Sequence, residues 1–160
     1  MKKILFIAAL LATTLMNRSF AQENTTQSQL SQLLISYYDI KDALVGGNAN
    51  TASASAEQFV KTLQSIEGKS ISKDKQYSLL SDAAHISETK DIKNQRDHFA
   101  TLSDHMVALA KLVKLTTEPI YQAYCPMKKT NWLSMDKAIK NPYYGNSMLT
   151  CGKVVETISH

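Results

Sequence analysis

Two short stretches of this chain each pair a thiol with a thioether. Cys125-Pro126-Met127 separates its sulfurs by one proline, whose ring fixes φ between them. Met148 and Cys151 repeat the pairing three residues apart. Thiolates and thioethers are soft donors that select Cu(I) over hard cations, so Cys125, Met127, Met148 and Cys151 form a candidate soft-metal site. His105 and His160 are candidate additional ligands, although nothing in the spacing requires either. The same two cysteines admit a plainer chemistry. A Cys125–Cys151 disulfide would close the loop between them and stabilise the fold by about 3.5 kcal/mol through chain entropy. Both readings stand at this level.

The surrounding stretch, Tyr121 to Glu156, also holds the only tryptophan, Trp132, and four of the seven tyrosines, so it has apolar surface enough to pack on something. The helical period is lost after Pro119. Residues 120–124 read as extended or as a last helical turn. Ser134 reads as the N-cap of a short helix with Asp136 in its first turn. Asn141-Pro142 opens a turn that Gly145 completes, and Gly152 marks a second sharp change of direction. A small two-stranded pairing of 120–124 with 153–158 is compatible with this pattern. Trp132, Tyr143 and Tyr144 read as packing groups, Asn141 and Asn146 as turn formers.

Something must position these turns, and the preceding residues supply it. Leu30, Leu33, Leu34, Tyr37, Ile40 and Leu44 recur at gaps of three and four, one face of a helix that Gly46-Gly47 stops. Asn50 or Thr51 caps a second helix with Ala52, Ala56, Phe59, Val60, Leu63 and Ile66 inward and Gly68 at its end. A weaker third follows Ser72, with Tyr77, Leu80, Ala84 and Ile86 inward. In the fourth, Ile92, Gln95, Phe99, Leu102, Met106, Leu109 and Val113 follow a heptad rhythm that residues 116–119 close. Short connections favour antiparallel neighbours. The expected fold is therefore mainly α: an up-and-down four-helix bundle carrying an irregular Cys/Met/aromatic C-terminal segment.

The amino terminus speaks to compartment. Lys2 and Lys3 precede an apolar run from Ile4 to Met16, and Ser19-Phe20-Ala21 offers the small residues of a cleavage site. Residues 1–21 thus read as a secretory signal peptide, too short to span a membrane, and residues 22–160 as a single helical domain. Three basic residues and no acid leave with the leader, so the formal charge of +4 falls to +1. That removes the electrostatic case for a nucleic-acid partner. Export also favours a disulfide between the two cysteines.

Enzyme chemistry finds little support. A Cys–His nucleophilic pair has no local signature here, and neither a glycine-rich phosphate loop nor HExxH is present. His85, His98 and His105 lie on predicted helices without a His-x-x-x-His ligand spacing, and read as solvated or hydrogen-bonded surface groups. No catalytic role is expected.

In order, CPM, WLS, NPYYG and ML-x-CG, with Lys41-Asp42-Ala43-Leu44-Val45 and Gln95-Arg96 upstream, give the chain a likeness. From about Tyr37 to Ile158 it resembles a family of uncharacterised exported bacterial domains. Members are small secreted proteins, or are fused to the C-terminal end of periplasmic adaptors of copper/silver-type heavy-metal efflux pumps. This chain lacks the lipoyl-like and hairpin regions of an adaptor and is similar to the stand-alone form. The resemblance implies a helical domain linked to heavy-metal handling, with Cys125, Met127, Met148 and Cys151 in the family's motifs. The expectation is a periplasmic protein that binds Cu(I) or a similar soft ion and works with an adaptor or another component of an efflux system. The alternative is a disulfide-stabilised interaction module that docks through its aromatic segment and holds no metal.

Overall fold

The computed structural model describes residues 25–66 and 70–160. The expected signal peptide and the expected helix stop at Gly68 lie outside those residues. Four helices form the up-and-down bundle: α1 (residues 25–45), α2 (Ala49–Ser65), α3 (Lys73–Glu88) and α4 (Ile92–Ala110). A three-stranded antiparallel sheet follows, with β1 (Ile120–Cys125) between β2 (Thr130–Ser134) and β3 (Lys153–Ile158). Among the described residues, no helix is long and apolar enough to cross a membrane.

The expected faces of α1, α2 and α4 are the buried ones. Leu33, Tyr37, Ile40 and Leu44 of α1, Phe59 and Leu63 of α2, and Phe99, Leu102 and Met106 of α4 meet in one core. A Schellman motif stops α1: Gly47 takes φ of +70°, its N–H reaches Leu44 O and that of Asn48 reaches Ala43 O. Asn48 then caps α2, its side chain accepting from Thr51 N–H at 3.0 Å. The cap is thus Asn48, not Asn50 or Thr51, because one residue serves both helix ends across this three-residue link.

The face of α3 differs from expectation. Leu79, Asp82, Ala83 and Ile86 point inward, while Tyr77 is exposed and Leu80 and Ala84 are half-buried. Helix α4 starts at Ile92, where the Asp91 carboxylate accepts from the N–H groups of Lys93 and Asn94. Its heptad rhythm outlasts it, since the helix ends at Ala110 and Val113 sits half-buried in the turn beyond. Gln95 lies wholly within the bundle and donates to the carbonyls of Ala49, Ile86 and Thr89.

The expected pairing of 120–124 with 153–158 is present, running from Ile120 opposite Ile158 to Tyr124 opposite Lys153. A third strand joins it. Residues 130–134 form β2 against the other edge of β1, where a helix beginning at Ser134 was expected. Ser134 Oγ does accept from Asp136 N–H at 3.1 Å, but this closes a turn after a strand instead of starting a helix. Buried Trp132 and Leu133 press β2 onto the bundle. Leu133 N–H donates to Tyr37 Oη at 3.1 Å, and that hydroxyl lies 2.7 Å from Ser103 Oγ, so one buried tyrosine joins α1, α4 and β2.

Candidate functional site: two thiols at the end of the sheet

Alternation along β1 turns Ala123 and Cys125 inward. After Cys125 the chain reverses through residues 126–129, where Lys129 takes φ of +59° and returns its N–H to Cys125 O at 2.8 Å. The Cys125 sulfur is buried and accepts from the Lys128 N–H at 3.4 Å.

Cys151 arrives from the opposite direction. Its N–H bonds to Met148 O, and the next residue, Gly152, takes φ of +147° against β1 and β2. A Cβ at Gly152 would lie 2.7 Å from the Trp132 ring and 3.0 Å from Tyr124 O, so only glycine lets this backbone close on the sheet. That approach brings the half-buried Cys151 beside Cys125, since a single Asn141 amide nitrogen reaches both Cys125 Sγ and Cys151 O. Both cysteines are free. Burial, and then the neighbouring Cys125 thiol, pushes the Cys151 thiol above its ordinary pKa.

Asn141 holds this arrangement together, a role its reading as a turn former did not contain. It is fully buried and uses all its side-chain hydrogen-bonding capacity. Nδ2 donates to Cys125 Sγ at 3.2 Å and to Cys151 O at 2.6 Å. Oδ1 accepts from the N–H groups of Tyr143 at 2.8 Å and Tyr144 at 3.2 Å. The following aromatics pin the loop to the bundle. Tyr143 packs edge-on to Trp132 and near Phe99, and its hydroxyl donates to Asn131 O.

The two predicted thiols are therefore brought together. The predicted thioethers occupy the turns that carry them: Met127 is 59% exposed in the β1–β2 turn, and Met148 is 40% exposed at the end of a 3-10 turn, Gly145–Ser147. The histidines bond elsewhere. His105 Nδ1 lies 2.6 Å from Asp82 Oδ2 on α3, and His160 Nε2 lies 2.7 Å from Ala110 O. His85 and His98 stack on each other with centroids 4.7 Å apart. Among the described residues, no three His, Cys, Asp or Glu side chains gather as a metal-binding group.

Comparison with known proteins places residues 33–118 within a family described as a protein of unknown function, DUF3347. That match covers the helical body from mid-α1 to just before β1 and ends short of both cysteines. No curated protein matches the chain, and no solved structure does.

Proposed function

The chain belongs to the DUF3347 family of proteins of unknown function, and we propose that this member is a periplasmic soft-metal-binding protein that holds Cu(I) and serves heavy-metal efflux or homeostasis. The observation that carries the reading is the apposition of two unbridged thiols, Cys125 and Cys151, at one end of the sheet. Two thiolates suit Cu(I), which accepts low coordination numbers and soft donors. A third protein donor would come from Met127 or Met148, whose turns adjoin the pair. The leader read from residues 1–21 and the sequence resemblance to adaptor-fused domains support a periplasmic setting and an efflux component as partner.

The fit has a physical order. Asn141 and the Lys128 N–H hold the Cys125 sulfur from within, while Cys151 offers the partly open face through which an ion would enter. Each thiol must lose its proton as the ion binds. The test is titration of the reduced protein with Cu(I) against a competing chelator. One equivalent held in competition, with both thiols protected from alkylation, is the expected result. No retained copper in the reduced protein overturns the reading.

The same apposition also favours a second reading, a disulfide-stabilised interaction module. A thiol count on protein purified without reductant separates the two. No free thiol, together with no copper retained after reduction, selects the module.

A further inference from the structure

A pocket of about 310 Å³ is formed by α4, the β1–β2 turn and the loop after Pro142. Lys93, Arg96 and Asp97 line it from α4, Lys128 from the turn, and Tyr143 and Tyr144 from the loop. Three cations face one carboxylate, and Lys128 already engages that carboxylate of Asp97. Among the described residues, neither Lys93 nor Arg96 has a carboxylate partner.

Arg96 is the informative member. Burial pushes its pKa down, the sign of a guanidinium partly stripped of water. Its Nη2 donates to Leu44 O at 2.9 Å, near the C-terminal end of α1, and its Nε is buried without an acceptor. The helix end contributes only about half a negative charge. A desolvated cation costs free energy unless an opposite charge meets it. Arg96 thus meets only that partial charge, and the pocket as a whole holds three cations against one carboxylate.

We propose that this pocket binds a small organic oxyanion, a carboxylate or phosphate ester, whose charged group is met by Lys93, Arg96 and Lys128 and whose body lies against Tyr144. Guanidinium and ammonium groups give charge-assisted hydrogen bonds to either kind of oxygen. The volume falls at the lower end of small-ligand pockets, which suits a metabolite-sized anion. The site uses neither cysteine as a ligand, so it stands or falls apart from the copper reading.

The full protein is titrated at low ionic strength with citrate and separately with inorganic phosphate, following backbone amide resonances. Saturable shifts centred on 93–97, 128 and 143–144 are expected. Tighter citrate binding assigns a carboxylate ligand, and tighter phosphate binding a phosphate ester. Lys93→Gln with Lys128→Gln removes two of the three cations and should weaken binding about tenfold or more. Lys73→Gln, outside the pocket, should leave it unchanged. Should the double variant not fold, Lys93→Gln alone, at an exposed position, is expected to weaken binding about threefold. Absence of saturable binding, or equal affinity in the folded Lys93 variant, overturns the proposal.

Discussion

The Asn141 amide donates to the Cys125 sulfur over 3.2 Å, although the two residues are 16 positions apart and lie on separate turns. The same nitrogen reaches the Cys151 carbonyl, so one buried side chain sets the distance between the two cysteine-bearing segments. The thiol pair is therefore a property of the loop from 141 to 152 as a unit. Asn141 fixes its start on β1, Tyr143 anchors it on Trp132, and Gly152 closes its end onto the same tryptophan.

Asn141→Ala should destabilise the protein by about 2–3 kcal/mol, because it strands the buried Cys125 sulfur and the buried Tyr143 N–H. Asn146 lies in the same loop but is exposed, and Asn146→Ala should cost less than about 0.5 kcal/mol. Urea unfolding of both variants checks this. Equal costs at the two asparagines would mean that Asn141 does not organise the loop.

The bundle prediction concerns the face of α4. Phe99 and Leu102 are both fully buried, and Phe99 stacks on Tyr37 with centroids 5.1 Å apart. Truncating either to alanine should cost about 2–5 kcal/mol by leaving a cavity. Denaturant midpoints report it, and changes below about 0.5 kcal/mol at both sites would contradict the packing described.

The residues explain why some of this was legible in the sequence and some was not. Helices α1, α2 and α4 carry large apolar groups at gaps of three and four, and those gaps define the buried side directly. In α3 the inward stripe includes Asp82, whose carboxylate is satisfied by His105, while Tyr77 stands in solvent. A polar residue inside and an aromatic outside shift the apparent phase. Ser134 misled for another reason: a hydroxyl accepting the N–H two residues on serves a helix cap and a post-strand turn equally. The sulfur spacing pointed to the two cysteines. Asn141 left no local signal beyond its place between them in Asn-Pro, since its partners Cys125 and Cys151 are brought near only by the tertiary fold.

Alkaline pH probes the buried tyrosines. Desolvation, the largest cause, raises the pKa of Tyr37 and Tyr143 above the ordinary value. Their neutral forms are thus favoured in the folded state over the unfolded one. This contribution is complete below the unfolded value of about 10 and is lost as pH climbs through the raised folded values. Stability measured from neutral to strongly alkaline pH should hold level on this account and then fall beyond about pH 10, with the tyrosinate absorbance of these buried residues appearing only as the fold is lost. Full tyrosinate titration at about pH 10 in a still-folded protein would show that these hydroxyls are not buried.

The thioethers give the most exacting test of the copper reading. Met127 and Met148 are 59% and 40% exposed, so replacing both by leucine keeps size and apolarity without opening a core cavity. If their sulfurs complete the site, the reduced Met127→Leu/Met148→Leu protein should lose about tenfold or more in Cu(I) affinity at unchanged stability. Proton competition supplies an independent signature. Because the Cys151 thiol is pushed up, it holds its proton at neutral pH, and Cu(I) must displace that proton to bind. Affinity should therefore fall on acidification and go on rising with pH past the ordinary thiol range. Oxidation to the disulfide should abolish binding, since it consumes both thiolates. Chelator competition at several pH values, on wild type and the double variant, checks all three. Equal affinity in the double variant would remove the methionines from the site, and pH-independent binding would remove the thiols.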